Sequence, residues 1–286
     1  MKKLFLGLII LVFVFMVHIS WAGKYCATPP FITQTVKPNI LLVIDVSGSM
    51  AEDAYSGDYT GEEEGYFIPD RVYVYNSVNG YWEEANATPS SCPTGWWRRG
   101  INIRNAYYGS CLNYYYMKRI DLLRWALTGG RPDECNALDD EDCDPRFGCT
   151  GTTCILETYN GIRVKVPRSR VDRAVLFQMA NLSNPPRLGA LFYSGGLRQP
   201  KVYIGDYPYP VNQNRIGHAD SQHPYTHLIR FINYISPWGS TATAPALWEA
   251  YDYFAQRNDH NYANGFEIAP GTFKDPHYFC NENGTN

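Results

Sequence analysis

The chain has 286 residues, of which 45% are hydrophobic and 19% charged, and its formal net charge is -3. This composition is typical of a globular protein and excludes a chain that is disordered or membrane-spanning throughout. The slight acidity gives no basic surface for a nucleic acid, so we expect no nucleic-acid partner.

The first 22 residues have the pattern of an export signal. Lys2 and Lys3 precede an apolar run at residues 4–17, and Ser20 and Ala22 are small residues at the positions a signal peptidase reads. A membrane anchor is the alternative, but the run is short for a span. We therefore predict that residues 1–22 are removed and that the exported chain, residues 23–286, has no membrane span.

All eight cysteines follow this segment. An even number in an exported chain indicates disulfides, although the sequence leaves most of the pairing open. The four central cysteines are the best candidates for two local bridges, and a zinc site is the alternative there, without a C-x-x-C pair to support it. The cysteines are Cys26, Cys92, Cys111, Cys135, Cys143, Cys149, Cys154 and Cys280.

Along the chain, the first predicted element is a strand over Asn39–Asp45, a continuous apolar run that ends in an acid. Such a run is typical of a strand buried on both faces of a parallel sheet. Residues 51–116 are rich in Tyr, Trp, Gly, Asn and Ser and lack periodicity, which predicts an irregular insertion. Its aromatic residues either pack the insertion, which we favour, or form a surface for sugars or proteins.

The remaining elements alternate between helices and strands. A helix is expected over residues 117–127, with Met117, Ile120, Leu123 and Leu127 on its buried face and Lys118, Arg119, Asp121 and Arg124 largely off it. Further expected elements are a second, cysteine-rich insertion (131–160), a strand (162–166), a helix (171–182), a buried strand (188–193), an edge strand (202–204) and a helix (243–256) that buries Leu247, Ala250, Tyr251 and Phe254. This order predicts an α/β fold with an open, doubly wound, mostly parallel sheet and long disulfide-containing insertions.

A group of oxygen-bearing side chains lies where such a sheet binds ligands. The predicted first strand runs into Asp45, Ser47 and Ser49, a D-x-S-x-S motif. Thr241 follows Trp238-Gly239-Ser240 directly before the last predicted helix. Ligands of open α/β sheets bind beyond the carboxyl ends of the strands, which is where these side chains fall.

One carboxylate and several hydroxyls suit a hard cation such as Mg²⁺, with Mn²⁺ or Ca²⁺ as alternatives. We predict that Asp45, Ser47, Ser49 and Thr241 hold this ion. A single carboxylate leaves the ion under-neutralised, so the ion keeps affinity for a further anionic oxygen. A carboxylate from a partner protein would provide that oxygen.

These features resemble the metal-ion-dependent adhesion site of von Willebrand factor A-type domains. The resemblance implies a third loop, in which an Asp follows a strand after the helix at 243–256. Asp259 and Asp275 lack such a strand before them, so we expect the sequence to stop before the third loop and to be an N-terminal fragment.

Two inner segments point to a subtype. Residues 112–130, with LNY and MKRIDLLRWALTGG, and residues 240–251, STATAPALWEAY, are similar to segments of PilY-type proteins of type IV pilus biogenesis. The resemblance implies a pilus assembly factor or pilus-tip adhesin, located in the periplasm, outer membrane, cell surface or pilus tip of a Gram-negative bacterium. It implies protein partners such as minor pilins or a host or surface receptor.

Other chemistry finds less support. The acidic stretch at residues 138–144 could bind Ca²⁺ but lacks the EF-hand Gly and terminal Glu, and His218, His223 and His227 fall in a loop-like context. No G-x-S-x-G elbow, Walker loop or G-x-G-x-x-G motif is present, so we expect no enzymatic activity. The sequence thus predicts a metal-dependent adhesion domain of a pilus system. The alternative is a secreted protein of the same domain type that binds a matrix or surface unrelated to pili.

Overall fold

A computed structural model describes residues 38–94, 100–137, 141–195, 201–205 and 225–257. Several features considered in the sequence analysis lie outside the described residues. They are the predicted export signal, Cys26, Cys280, two of the three candidate histidines (His218 and His223) and the two candidate third-loop acids (Asp259 and Asp275). Within them no helix has both the length and the apolar character needed to cross a membrane.

Eight strands and seven helices make up the described part of the chain. The strands are β1 (Asn39–Asp45), β2 (Val72–Asn76), β3 (Tyr81–Glu84), β4 (Tyr107–Tyr108), β5 (Thr153–Glu157), β6 (Arg163–Pro167), β7 (Arg187–Tyr193) and β8 (Lys201–Gly205). The helices are α1 (Gly109–Tyr116), α2 (Arg119–Thr128), α3 (Pro145–Gly148), α4 (Arg168–Val171), α5 (Val175–Ala180), α6 (Thr226–Tyr234) and α7 (Thr243–Phe254). Two 3₁₀ turns (Gly48–Ala51 and Glu141–Cys143) complete the set.

The first sheet has the strand order β1-β7-β8. β1 and β7 run parallel in register from Asn39 opposite Arg187 to Asp45 opposite Tyr193, and β8 pairs antiparallel with β7. Residues 187–192 of β7 are buried, whereas most of β1 is half-buried because β7 is its one strand partner among the described residues. The expectation that β1 is buried on both faces is therefore met only in part.

Helices cover both faces of this sheet. Leu188, Ala190 and Phe192 of β7 belong to the core cluster that contains the buried face of α6. Leu191, between them, belongs to a separate cluster with Ala246 and Tyr253 of α7. Since successive side chains of a strand point to opposite faces, α6 and α7 lie on opposite sides of the sheet.

The second sheet has the strand order β4-β2-β3-β6-β5. Four of its strands come from the two predicted insertions, and β6 is the strand expected over 162–166. The expectation of an irregular insertion over 51–116 is wrong, because this segment contributes three strands and α1. Its aromatic residues form much of the core, which confirms the packing interpretation for the buried ones: Tyr66, Phe67, Tyr73, Trp82 and Tyr107. Contacts between aromatic side chains on neighbouring strands stabilise this sheet, although its sequence lacks apolar alternation.

The α/β class is confirmed, but a mostly parallel architecture is wrong for the described residues. Two strand pairs, β1 with β7 and β3 with β6, are parallel, and the other pairs are antiparallel. The sheet built from the insertions accounts for most of this difference, since short connections favour antiparallel neighbours.

Three helix predictions need correction. The helix expected over 171–182 is shorter, α5 at Val175–Ala180, and Val171 is the last residue of a separate short helix, α4. On α2, Asp121 and Arg124 are buried, because they pair with each other beneath α6. On α7 the predicted apolar stripe is wrong: the helix buries Ala246, Asp252 and Tyr253 and leaves Leu247, Tyr251 and Phe254 exposed, with Ala250 half-buried. Because α7 packs on β1 and β7 through small and polar residues, its largest apolar side chains face outward.

Three disulfides among the described residues each close a loop within one of the two predicted insertions. Cys92 pairs with Cys111, and the central cysteines pair as Cys135–Cys143 and Cys149–Cys154. The prediction of two local bridges in the central cluster is confirmed. The zinc alternative is wrong there, because all four sulfurs are consumed in disulfide bonds.

Candidate metal centre

The first half of the candidate site is the turn that follows β1. The backbone N–H of Ser47 donates to Asp45 Oδ1 at 2.8 Å, which orients the carboxylate at the carboxyl end of the strand. The N–H of Val46 donates to Tyr193 O at 2.9 Å, so the turn is anchored to the end of β7 as well. Ser47 itself is fully buried. The chain then enters the 3₁₀ turn that contains Ser49.

The second half is the loop before α7, which hydrogen-bonded contacts hold against the first. Trp238 N donates to Val46 O at 2.9 Å, and Gly48 N donates to Gly239 O at 2.8 Å. Gly239 has φ of 73°, a left-handed conformation that a glycine adopts without strain. This turn delivers the following Ser240 and Thr241 to the first loop.

The hydroxyl oxygens of both loops converge. Ser47 Oγ lies 3.0 Å from Ser49 Oγ, and Thr241 Oγ1 donates to Ser47 Oγ at 2.9 Å. The structure therefore brings all four predicted ligands together: the three hydroxyls by direct contact, and Asp45 through the backbone of Ser47. Thr241 is exposed and Asp45 and Ser49 are half-buried, so the cluster opens to solvent on one side.

The spacing of these oxygens fits a hard cation. An octahedral Mg²⁺ with oxygens at about 2.0–2.1 Å holds adjacent oxygens about 2.9 Å apart. The separations of 3.0 and 2.9 Å are those of hydrogen-bonded hydroxyls, and they bring the oxygens of Ser49 and Thr241 to the same Ser47 oxygen, close to the spacing that one ion requires. Among the described residues no three His, Cys, Asp or Glu side chains are grouped to hold a metal, and this centre is of another kind, rich in hydroxyls with one carboxylate.

Arg119 supports the first loop and was not singled out from the sequence. Its guanidinium donates to Ser49 O at 3.3 Å and pairs with Glu52 at 2.9 Å. These contacts fix the 3₁₀ turn against the start of α2. Arg119 lies 70 residues from Ser49, and no periodic pattern in the sequence links the two positions.

A buried ion pair lies beneath the second loop. Asp121 and Arg124, with side chains 0% and 2% exposed, lie 3.8 Å apart. Arg124 donates to the carbonyls of Ile232 (3.2 Å) and Ile235 (2.6 Å) at the end of α6. Asp121 accepts from Tyr159 N at 2.8 Å. Burial raises the pKa of Asp121 to about 6, against the opposing effect of Arg124 and the backbone donors.

Among the described residues, the other candidates from the sequence do not come together in a binding or catalytic site. His227 lies on α6 and not in a loop, and burial, with help from Arg230, lowers its pKa to about 4. Residues 138–140 of the acidic stretch lie outside the described residues. Of the rest, Asp144 pairs with Arg146 at 2.5 Å. That carboxylate thus serves the structure of the insertion.

We compared the chain with family models, with curated proteins and with solved structures, and found no match. The geometry of the two loops therefore carries the functional interpretation.

Proposed function

We propose that this protein is an exported, cation-dependent interaction domain, in which Asp45, Ser47, Ser49 and Thr241 hold Mg²⁺ or a similar ion. The observation that carries the proposal is the convergence of three hydroxyls, hydrogen-bonded at 3.0 and 2.9 Å, from loops far apart in the sequence and beside the carboxylate of Asp45. The proposal includes no chemical reaction, because a hydroxyl-rich cation site with an open side can act by binding a partner alone.

The charge of this donor set defines the kind of ligand. Asp45 contributes one negative charge, and the hydroxyls of Ser47, Ser49 and Thr241 contribute none. A divalent ion held there keeps a positive charge, and the exposed position of Thr241 leaves the site open to a partner. A carboxylate of another protein satisfies both the charge and the ion's preference for oxygen.

The surrounding fold supports a domain of the von Willebrand factor A type. The first loop follows the carboxyl end of β1, where ligands of open α/β sheets bind, and the second loop, between α6 and α7, is hydrogen-bonded to it. The parallel pair β1–β7, with α6 and α7 on opposite faces, agrees with the open α/β sheet expected of such a domain. We propose this fold type for the part of the chain that carries the site.

The pilus context rests on the sequence resemblance. Residues 112–130 and 240–251, which resemble PilY-type proteins, form α1, α2 and α7 and flank the two loops. We propose a pilus assembly factor or tip adhesin at the surface of a Gram-negative bacterium, with minor pilins or a surface receptor as partners. The disulfides agree with an oxidising, extracytoplasmic compartment.

Calorimetric titration of the full chain with Mg²⁺ tests the proposal. We expect saturable binding that Asp45→Ala abolishes. The matched control is Asp58→Ala, which removes an exposed carboxylate away from the site and should leave binding unchanged. Saturable binding that persists in Asp45→Ala, or no binding by the unmodified chain, would overturn the proposed function.

A further inference from the structure

A groove of about 600 Å³ lies next to the loop that carries Thr241. One wall comes from the second sheet and includes Arg131 and Tyr159, and the other comes from the end of α6 and the loop after it, with Tyr234, Ser236 and Trp238. Its size lies within the range of about 300–1,000 Å³ that is typical of binding sites for small ligands. The metal centre as described above does not use this groove.

The buried pair Asp121–Arg124 fixes both walls. Asp121 accepts the hydrogen bond of Tyr159 N at 2.8 Å on one side. Arg124, which also lines the groove, donates to Ile235 O at 2.6 Å on the other side. A buried ion pair with several hydrogen bonds is costly to rearrange, so the groove is held open before any ligand arrives.

Trp238 connects the groove with the metal centre. Its backbone N–H donates to Val46 O at 2.9 Å, between the first two metal-site positions, while half of its side chain is exposed along the groove. Thr241 follows three residues later, so at most about 10 Å of chain separates the two positions. The groove and the metal centre are therefore neighbours along this loop.

The exposed side chains of the groove suit a protein ligand. Tyr159, Tyr234 and Trp238 are 38%, 44% and 50% exposed. Tyrosine and tryptophan, with arginine, are the residue types enriched at the energetic centres of protein interfaces, where their rings pack apolar side chains and their polar ends bond to water or backbone. The exposed Ser236 offers a hydroxyl between these rings. The charge of the ion selects an acidic residue beside this apolar contact.

From these observations we propose that the groove binds an extended peptide segment of a partner protein, and that an Asp or Glu of the same segment binds the cation at Thr241. The inference rests on the proposed function and names its ligand: an acidic residue flanked, within a few positions, by apolar residues that stack on Tyr159, Tyr234 and Trp238. At about 3.3 Å per residue, an extended strand covers the distance of at most about 10 Å between Trp238 and Thr241 in about three residues.

A random-peptide display library, selected on the full chain in Mg²⁺, supplies the probe, and the selected peptides are then synthesised and titrated. We expect them to share an acidic residue with an apolar or aromatic residue a few positions away. Chelation of Mg²⁺ should abolish binding. Tyr159→Ala and Tyr234→Ala should each weaken it by roughly tenfold or more, while calorimetric Mg²⁺ binding is retained.

Trp248→Ala is the matched control, because Trp248 is 46% exposed on α7 and does not line the groove. It should leave peptide affinity unchanged. Peptide binding that requires Mg²⁺ but ignores both groove variants would overturn the inference and leave the proposed function intact. Failure of Mg²⁺ binding itself would overturn the proposed function. Failure to select any peptide, or selection of peptides without acidic residues, would overturn the inference. Groove-dependent binding to an acidic glycan array would also overturn it and would identify a sugar as the ligand.

Discussion

The side chains of Ser47 and Thr241, which are 194 residues apart in the sequence, share a hydrogen bond of 2.9 Å between their hydroxyl oxygens. The contact joins the turn after β1 to the loop before α7, and two backbone hydrogen bonds from Trp238 and Gly48 hold the loops in this relation. The candidate metal centre therefore depends on the relative position of two loops that only the folded sheet brings together.

Gly195→Ala should damage the centre without removing a ligand. A Cβ at position 195 would lie 1.8 Å from Ser240 Oγ and 2.9 Å from Ser240 N, so the backbone before Thr241 must move. We expect Mg²⁺ affinity, measured by calorimetry, to fall by roughly tenfold or more. Gly57→Ala is the control, because nothing lies within 4 Å of its added Cβ. Equal affinities of the two variants would show that the second loop does not contribute to the centre.

Arg124→Met should destabilise the whole domain. The substitution leaves Asp121 as a buried carboxylate without its cation and two carbonyls at the end of α6 without donors. We expect the free energy of unfolding in urea to fall by about 3–5 kcal/mol. Arg104→Met, at an exposed position, should change the free energy of unfolding by less than about 0.5 kcal/mol. A cost below about 1 kcal/mol for Arg124→Met would contradict the role given to the pair.

The disulfides should differ in their contribution to stability. The Cys92–Cys111 bridge spans 19 residues and the Cys149–Cys154 bridge spans 5. Closing the longer loop removes more entropy from the unfolded chain, so the double Ala variant at 92 and 111 should lose about 1 kcal/mol more than the one at 149 and 154. Urea unfolding measures both. The reverse order would show that native packing, and not loop entropy, sets their values.

His227 should make the domain sensitive to mild acid. Burial depresses the pKa of its imidazole from 6.5 to about 4, so the folded state binds fewer protons than the unfolded state between these values. Its contribution to stability is present above pH 6.5 and lost as the pH falls through about 4, and it amounts to a few kcal/mol. His227→Phe should flatten the fall in unfolding free energy across this window.

Asp121 acts in the opposite sense, because burial raises its pKa from 3.8 to about 6 and the folded state binds more protons there. Its contribution to stability is full below about pH 4 and is lost as the pH rises through about 6. The free energies of unfolding of His227→Phe and of the unmodified chain should therefore be compared at each pH. The pH dependence of the unmodified chain alone combines the two opposite contributions. An identical pH dependence for His227→Phe and the unmodified chain would contradict the assignment.

The sequence singled out four residues that the structure brings close together, but it predicted the fold around them less well. Asp45, Ser47 and Ser49 are local in sequence, and the apolar run before them marks the strand that positions them. Thr241 could be added because a Gly-Ser-Thr turn before a helix is equally local. The contact between the two loops, in contrast, depends on Gly195 and Trp238, and the position of the first loop on Arg119. These roles arise from long-range packing that no spacing in the sequence reveals.

The second sheet was missed for a physical reason. Its strands are short, and the side chains that form its core are aromatic residues such as Trp82 and Tyr107, in a segment rich in glycine and asparagine. Such a segment gives no clean apolar alternation, and β3 and β6 pair across about 80 residues of chain. The buried face of α7 also differs from the expected one. Tyr253 packs inward against the β8 side of the sheet, while the predicted apolar stripe faces outward.

Binding of Mn²⁺, followed by electron paramagnetic resonance in Thr241→Val and Thr241→Ser, tests the two-loop cation site most directly. Valine keeps the shape of threonine but removes the hydroxyl, whereas serine keeps the hydroxyl. We expect Thr241→Val to weaken Mn²⁺ binding by roughly tenfold or more and Thr241→Ser to bind within about threefold of the unmodified chain. Unchanged Mn²⁺ affinity in Thr241→Val would contradict a centre that is completed by the second loop.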